Sequence, residues 1–290
     1  MQRSPKPPKL QKRHKRLGRS AAGSGVLYTF LALMGAFMAL PLVYAISNAF
    51  KPLDELFVFP PKFFVRNPTW DNFSDLFTIM GKSWVPFSRY IFNTVFITVV
   101  GTVGHIVIAS MCAYPISKYR FPGSVGFFRL VQTALMFSSS VTSIPSFIIV
   151  SRLGLLNTYW AVIIPAFGMP LGLFIMKQFM DQTVQMAILE SAEIDGAGEL
   201  QKFVHLVMPM VKPAWLTLMI FTVQSLWALG NTPYIYNEQL KTLPFAMSQI
   251  QTAGIARAGV GAAASVLIML VPLTVFIVSQ SSIMETMSTS

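Results

Sequence analysis

The chain has 290 residues, of which 53% are hydrophobic and 11% are charged, and its formal net charge is +11. Soluble domains usually carry about a quarter charged residues, so this composition excludes an ordinary soluble globular protein and indicates a membrane protein. The basic excess does not indicate nucleic-acid binding, because eight of the 22 Lys and Arg residues precede the first apolar run, where membrane orientation and lipid headgroups account for them.

Six apolar runs without an interior acidic or basic residue are long enough to cross a bilayer, which takes about 20 helical residues. A segment in lipid must satisfy its own backbone groups, and the two-residue alternation of barrel strands is absent, so each run is predicted to be a helix. The predicted fold class is an all-α membrane protein. Its spans are roughly Val26–Phe50, Tyr90–Ala113, Leu130–Val150, Leu153–Met176, Ala214–Tyr236 and Ala258–Met284.

The basic tail of residues 1–25 is predicted to lie in the cytoplasm, because positive side chains flank spans on that side. An even number of spans places both termini there, and the inner segments then hold 14 Lys and Arg residues against eight outside. The long first run lacks a small-residue cleavage site, so we interpret it as an uncleaved helix rather than a signal peptide. The six-helix region is predicted to cover residues 26–285, with a short tail at 286–290.

Catalytic and cofactor sites find no support in the sequence. Gly81–Ser83 reads Gly-Lys-Ser, but position 76, where a phosphate loop needs glycine, is Leu76. His14, His105 and His205 lie far apart without partners at metal-ligand spacing. We therefore expect no enzyme activity, no metal site and no ATP hydrolysis by this chain. The single cysteine, Cys112, excludes an intrachain disulfide.

Polar residues inside the second and third spans are candidates for lining a solute path. The second span has four of them on one helical face: Thr94, Thr98, Thr102 and His105. The third has four at its midpoint, beside Pro145: Ser138, Ser139, Ser140 and Thr142. Small polar residues also serve as packing positions between membrane helices, as Gly168 and Gly172 are expected to do, so both roles stay open.

The connection between the fourth and fifth spans, residues 181–213, differs from everything around it, and we call it the acidic segment. It concentrates its charge and glycine within ten positions: Glu190, Glu193, Asp195, Gly196, Gly198 and Glu199. The pattern predicts a helix that ends at Gly196, a turn, and a second helix that starts at Glu199 and is broken by Pro209 and Pro213.

The second helix of the acidic segment shows an apolar face at i, i+3, i+4 and i+7 spacing, with polar residues opposite. The predicted apolar face holds Leu200, Phe203, Val204 and Val207, and the polar face holds Gln201, Lys202 and His205. Short helices are marginal alone, so these must dock against the span ends, which leaves the acidic turn for a partner in water. The alternative is a solvated connector without a partner.

The fifth span carries a polar stripe, which consists of Thr217, Gln224, Trp227 and Asn231. An indole beside amides suits the apolar face and the hydroxyl groups of a sugar. This stripe is the third candidate for the solute path.

The acidic segment resembles the "EAA" signature of the permease subunits of ATP-binding-cassette importers. Glu190-Ser191-Ala192, then Asp195-Gly196-Ala197, then Pro209 match the motif, although Ser191 replaces the usual alanine and Thr183 and Val184 stand where a proline is usual. Further blocks resemble, in order, the carbohydrate-uptake branch and its maltose-permease-like second membrane subunit over residues 26–285. They are RYIFNTVFI, AYPISKYRFPG, IPSFIIVSRLGLLNTYWAVIIP, LFIMKQF and KTLPFAMSQI.

The resemblance implies the type I importer permease fold in a prokaryotic plasma membrane. It implies a second permease, two ATPase subunits that use ATP and Mg²⁺, and an extracytoplasmic solute-binding protein toward which the loop Asn237–Arg257 reaches. Residues expected to couple to the ATPase are Glu190, Ser191, Ala192, Asp195, Gly196, Ala197, Glu199 and Pro209. Path candidates are Gln224, Trp227, Asn231, Ser139, Thr142 and Thr98.

Two alternatives to a carbohydrate importer stay open. The first is the same kind of importer with a cargo that is not a sugar. The second is a standalone secondary transporter, which usually needs an ion site near mid-membrane or repeat symmetry, and neither is visible in this sequence.

Overall fold

The computed structural model describes residues 21–252, 254 and 257–288, and all regular structure among them is helical, which confirms the all-α prediction. The predicted basic tail lies mostly outside these residues, as do the last two residues of the carboxyl-terminal tail. The helices are α1 (Ala21–Ala49), α2 (Leu53–Leu56), α3 (Asp71–Gly81), α4 (Phe87–Lys118), α5 (Ser124–Ala134), α6 (Ser139–Arg152), α7 (Trp160–Phe167), α8 (Pro170–Thr183), α9 (Met186–Ile194), α10 (Glu199–Gln201), a π-helix (Lys202–Val207), α11 (Met208–Met210), α12 (Lys212–Trp227), a 3-10 turn (Glu238–Leu240), α13 (Leu243–Gln251) and α14 (Ala258–Ser288).

The chain divides into two units, residues 1–45 and 46–290. In the first unit the described residues form the greater part of α1, and none of its side chains from 23 to 45 is buried. In the second unit the long helix α4 packs against α7, α8 and α12, and α12 packs against α14. The core of the second unit therefore surrounds α4.

Four helical stretches are individually long and apolar enough to cross a membrane, namely Gly23–Ala49, Phe87–Lys118, Trp160–Thr183 and Ala258–Gln280. They correspond to the predicted first, second, fourth and sixth spans. Two further pairs qualify only when each bent pair counts as one span: α5 with α6, bent by 113°, and residues 199–210 with α12, bent by 78°. The described residues thus hold four to six spans.

The predicted third span is not one continuous helix. Leu130–Val150 includes a break after Ala134, and α6 starts again at Ser139 behind Ser138, which is extended with ψ 150°. Serine favours the position before a helix over a helix interior, because its hydroxyl competes for backbone hydrogen bonds. Pro145 lies within α6 and does not end it.

The predicted fourth span begins later than its hydropathy suggests. Gly154 and Asn157 both have positive φ, 67° and 62°, so the chain turns after α6 and becomes helical again only at Trp160. The helical stretch formed by α7 and α8 then extends to Thr183, seven residues beyond the predicted end at Met176. The apolar composition therefore located the span, but the turn set its start.

Glycine allows α8 to approach α4 closely. A Cβ on Gly172 would lie 2.3 Å from Nε2 of His105, whose Nδ1 lies 3.2 Å from the Phe167 carbonyl oxygen. Gly172 is therefore a packing position, as predicted. Gly168 is not a point of helix crossing, because a Cβ there would meet only the Pro165 carbonyl of its own turn, at 3.8 Å.

The loop of residues 228–242, between α12 and α13, is fastened to the Phe87 end of α4. The fully buried Asn93 donates two 2.8 Å hydrogen bonds from Nδ2, to the carbonyl oxygens of Gln239 and Lys241. Its Oδ1 accepts a 2.7 Å bond from the Tyr159 hydroxyl. The backbone N–H of Leu243 donates to Thr94 Oγ1 at 2.7 Å. Buried side-chain bonds from α4 and its neighbour therefore set the path of this loop.

Candidate functional site

The acidic segment folds as the predicted helix, turn and second helical stretch. Helix α8 ends at Thr183, Val184 is extended, and α9 runs from Met186 to Ile194. Helix α10 then starts at Glu199. Helix α9 thus begins after a break at Val184, one of the positions where the signature usually has a proline.

Gly196 closes α9 in the manner that the sequence predicts. Its φ is +85°, and its N–H donates to the Glu193 carbonyl at 3.0 Å, while the Ala197 N–H donates to the Ala192 carbonyl at 2.9 Å. These two bonds form a Schellman motif, which needs a left-handed residue and satisfies carbonyls that the helix leaves free. A side chain at Gly196 would strain this turn, even though no atom lies within 4 Å of an added Cβ.

The second helical stretch is not the regular α-helix that the periodicity predicts. After three α-helical residues it continues as the π-helix Lys202–Val207, in which the Met208 N–H donates to the Phe203 carbonyl. Each π-helical hydrogen bond spans one residue more than in an α-helix, so an apolar face at i, i+3, i+4, i+7 spacing does not stay on one side.

The predicted apolar face of this stretch is therefore wrong in part. Val207 is fully buried and Phe203 is half-buried, but Leu200 is 70% exposed and Val204 is 47% exposed. Lys202, which was predicted on the outer polar face, is only 2% exposed. It is buried because two carboxylates pair with it, as described below.

Apolar side chains dock the acidic segment on the ends of three long helices. Val184, Leu189, Val207 and Val211 are each 0–2% exposed and belong to one cluster with residues of α4, α8 and α12. The residues that these helices contribute include Ala109, Ala113, Met176, Met180, Ala214 and Leu218. Burial of this kind stabilises by about 25 cal/mol per Å² of apolar area, so the segment is part of the fold rather than a free loop.

Most of the predicted coupling residues lie on the exposed surface of the acidic segment. Glu190, Ser191, Asp195, Gly196, Glu199 and Pro209 are exposed, whereas Ala192 and Ala197 are half-buried. Ile194, an apolar residue beside these acidic residues, is 87% exposed. Two open hollows of about 330 and 380 Å³ share Ala192, Asp195 and Leu206 in their walls. Exposed apolar side chains around a concave, charged surface are typical of a protein-binding site.

A polar network connects the acidic segment to the end of α4. The Tyr119 hydroxyl donates to Glu199 Oε2 at 2.6 Å, and the Tyr114 hydroxyl donates to the same oxygen at 3.3 Å. Lys202 Nζ lies 2.6 Å from the other oxygen, Glu199 Oε1, and 3.2 Å from Glu193 Oε2 in α9. The Lys202 and Tyr119 donors hold the pKa of the Glu199 carboxyl below its usual value.

A second set of polar contacts joins α4 to the start of the acidic segment. Lys118 Nζ donates to the Val184 carbonyl at 2.7 Å, and Ser117 Oγ donates to Asp181 Oδ1 at 2.6 Å. Asp181 also pairs with Lys177, one turn earlier on α8. Sequence reasoning did not find these α4 residues, and the only signal was a cluster of aromatic and basic residues, Tyr114 to Arg120, where the second span ends.

The structure separates the predicted path residues of the fifth span. Gln224 is exposed on α12, whereas Asn231 lies beyond the helix, which ends at Trp227. Trp227 is 6% exposed, and its Nε1 donates to the Ile268 carbonyl in α14 at 2.9 Å. An α-helix would supply that carbonyl with the N–H of residue 272, which is Pro272 and has none. Trp227 thus satisfies a carbonyl that a proline leaves free, which is a packing role.

The path candidates on α4 and α6 also differ in their surroundings. Thr98 is 5% exposed and its hydroxyl has no hydrogen-bond partner among the described residues, as is also true of Thr102. Ser139 and Thr142 are exposed in the first turns of α6, next to the break from α5. Exposed candidates for a path are therefore Ser139, Thr142, Gln224 and Asn231. Among the described residues no group of three or more His, Cys, Asp or Glu is placed to hold a metal ion.

Comparisons with known proteins agree with this architecture. The chain is 34% identical over 203 residues to the protein LplC of Bacillus subtilis, an alignment that covers 68% of this chain and 64% of LplC. It is 31% identical over 221 residues to the polygalacturonan/rhamnogalacturonan transport system permease protein YtcP of the same species, covering 73% of this chain and 71% of YtcP.

A solved structure shares the fold. The crystal structure of a bacterial ABC transporter involved in the import of the acidic polysaccharide alginate matches with a TM-score of 0.76 and 20% identity. The match covers 90% of this chain and 98% of that chain. The model of a protein family described as "Binding-protein-dependent transport system inner membrane component" matches residues 105–285, which include the acidic segment and the part of α4 from His105 to Lys118. The chain belongs to this family of membrane transport components.

Proposed function

We propose that this chain is one of two permease subunits of an ATP-driven carbohydrate importer in a prokaryotic plasma membrane. In this proposal α5 with α6 forms the third span, α12 lies in the fifth, and residues 199–210 lie outside the membrane. The chain then has six spans and both termini in the cytoplasm. The observation that carries the proposal is the exposed acid and glycine turn of the acidic segment, held on the ends of α4, α8 and α12.

The acidic segment is the proposed seat of an ATPase subunit. ATP and Mg²⁺ bind to the ATPase pair, and closure of that pair displaces α9 and the turn at Gly196. Because Val184, Leu189, Val207 and Val211 are buried among the span ends, the displacement reaches the membrane helices instead of being absorbed by a flexible loop. The solute path, formed with the second permease, then alternates between its two openings.

The proposed cargo is a sugar or an oligosaccharide. YtcP is named for polygalacturonan and rhamnogalacturonan transport, and the matching crystal structure is of an importer of the acidic polysaccharide alginate. These names support a carbohydrate for this chain, and the exposed polar residues Gln224, Asn231, Ser139 and Thr142 supply amide and hydroxyl groups that suit sugar hydroxyls. A solute-binding protein delivers the cargo outside.

The binding protein is proposed to meet the opposite end of α4 from the acidic segment. The loop Asn237–Arg257 was expected to reach outward, but residues 243–247 of α13 are buried in the core. An exposed surface on this side lies around Trp84, Arg89 and Gln239, which line an open hollow of about 600 Å³.

The test is uptake by the complete complex in lipid vesicles, with binding protein outside and ATP inside. Gly196→Val forces a β-branched residue into a left-handed conformation, which costs roughly 1–2 kcal/mol and distorts the turn. We expect uptake and ATPase attachment to be lost while the chain still inserts. Gly126→Val is the matched control, since Gly126 is helical, exposed and has open space around it.

Two results would contradict the proposal. Full uptake by the Gly196→Val complex would separate the turn from transport. Uptake driven by an ion gradient, in a preparation without any ATPase subunit, would favour the standalone transporter instead. Competition between labelled oligosaccharide and unlabelled peptide, polyamine or sugar distinguishes the cargo classes.

A further inference from the structure

We infer that Tyr114 and Tyr119 are positioning residues that act through Glu199 to transmit movement of the acidic segment to α4. The inference rests on the proposed function, in which this segment moves with an ATPase subunit. It assigns a role to two residues at the end of a span that lie outside the acidic segment itself.

The geometry of the Glu199 carboxylate is the first observation. One oxygen accepts from both tyrosine hydroxyls, at 2.6 and 3.3 Å, and the other faces Lys202 Nζ at 2.6 Å. The two rings contact each other edge to face at 5.7 Å, and Tyr114 also packs on Phe203 at 5.6 Å. One carboxylate oxygen therefore bonds two side chains 80 and 85 residues earlier in the chain, and the other bonds Lys202, which is close in sequence.

Lys202 extends this connection to α9, the helix proposed to seat in the ATPase. Its side chain is 2% exposed, and its Nζ bonds both Glu199 and Glu193. Because this one ammonium bonds both carboxylates, it links Glu199 to Glu193 of α9. A displacement of α9 at Glu193 therefore pulls on Lys202, then on Glu199, and then on the two tyrosines.

Helix α4 needs such a connection because it is not adjacent to the acidic segment along the chain. Helices α8 and α12 adjoin the acidic segment covalently, so they receive its movement through the backbone. Helix α4 is about 60 residues earlier in the chain and can respond only through contacts, yet it lies at the centre of the core, against α7, α8 and α12. Lys118 and Ser117 hold the start of the segment, at Val184 and Asp181, and the tyrosines hold its far side. The end of α4 is thus bonded to the chain both before and after α9.

The experiment compares transport with ATP hydrolysis in the complete complex, reconstituted in vesicles with its binding protein. The variant Tyr114→Phe/Tyr119→Phe removes two hydroxyl groups and keeps both rings and their packing. We expect ATPase attachment to be unchanged and ATP hydrolysis to continue, while solute transported per ATP falls about fivefold, a typical size for coupling between sites. The control is Tyr236→Phe, an exposed tyrosine in the loop of residues 228–242.

A double-mutant cycle separates positioning from general structural support. If the tyrosines act through Glu199, the two tyrosine substitutions cause no further loss in a Glu199→Ala background, because the effects of groups in one network are not additive. A wild-type transport ratio in the tyrosine variant, or fully additive losses in the cycle, would overturn the inference.

The two proposals fail in different ways. Loss of ATPase attachment in the tyrosine variant would also overturn this inference, since that result would assign the tyrosines to docking. An unmodified complex that transports without an ATPase subunit would instead overturn the proposed function.

Discussion

Each end of α4 binds a polar connection, but the two connections differ in how far their polar groups are buried. At the Phe87 end, the loop of residues 228–242 turns its carbonyl groups inward onto Asn93, and the N–H of Leu243, which follows the loop, donates to Thr94. Both side chains are fully buried. At the Lys118 end, the acidic segment is held through Glu199, whose side chain is 59% exposed, and leaves Ile194 and Asp195 on the surface.

The difference separates a connection whose polar groups are buried in the fold from one whose acidic groups stay at the surface. A buried hydrogen-bonded amide stabilises the chain because its loss leaves other buried polar groups unsatisfied. An exposed ion pair adds little stability, so we expect the Glu199–Lys202–Glu193 network to affect the proposed transmission more than folding. Substitutions at the first end should therefore change stability, and substitutions at the second should change transport.

The largest stability effect is expected for Asn93→Ala. This change removes three hydrogen bonds of a fully buried side chain and frees the loop of residues 228–242. We expect the free energy of unfolding to fall by about 2–4 kcal/mol, since an unsatisfied buried partner costs about 1–3 kcal/mol. Denaturant unfolding of the purified full-length chain in micelles measures it, with exposed Asn231→Ala as control. A loss of unfolding free energy below about 1 kcal/mol would contradict the distinction between the two ends of α4.

A smaller effect is expected for Trp227→Phe. The ring stays buried, but the Ile268 carbonyl loses the donor that compensates for Pro272. We expect a loss of about 1–3 kcal/mol in the same unfolding measurement, with little change in the solute affinity of the complex. The reverse result, unchanged stability with weakened solute binding, would indicate that Trp227 lines the solute path.

Glu199→Gln should have a still smaller effect on stability. The side chain is mostly exposed, and exposed ion pairs are worth about 0–1 kcal/mol. The amide keeps an acceptor for the tyrosine hydroxyls but loses the charge opposite Lys202, so transport per ATP should fall while unfolding is nearly unchanged. Exposed Asp75→Asn is the matched control. A destabilisation as large as that of Asn93→Ala would remove the distinction between the two ends.

The smallest effect is a pH dependence of the Glu199 contribution. Because its pKa is lowered in the folded chain, the carboxylate contributes stability that is present above its unfolded pKa and is lost as pH falls through the folded value. The stability difference between the wild type and Glu199→Gln should be constant near neutral pH and shrink only in the acidic range below ordinary carboxyl values. Unfolding curves across pH measure it, and a difference that grows on acidification would contradict the sign.

Much of the molecule was predictable because lipid imposes simple rules. Uncharged runs of sufficient length must be helical in a membrane, so the all-α class followed from composition, and four of the predicted spans correspond to single helical stretches. The turn at Gly196 was predictable for a local reason, since a helix that ends in a left-handed residue favours glycine. The exposed position of Glu190, Asp195 and Gly196 followed from their polarity and flexibility.

Other features depended on partners distant in the chain. Hydropathy could not locate the break between α5 and α6, because residues 135–138 (Leu-Met-Phe-Ser) are as apolar as those of a continuous helix. Periodicity placed Lys202 outside and Leu200 inside, and the π-helix with its ion pairs reversed both. The sequence predicted that the Trp227 indole contacts a sugar, whereas in the structure its N–H donates to the Ile268 carbonyl.

The sequence by itself determined the membrane class, the helical content, the acidic turn and, through its motifs, the family, because each depends on residues that are neighbours along the chain. Only the tertiary structure decided that Tyr114, Tyr119, Glu199 and Lys202 meet. Their contacts join positions up to 85 residues apart, and no local pattern reports which side chains the packing of α4, α8 and α12 will bring within hydrogen-bonding distance.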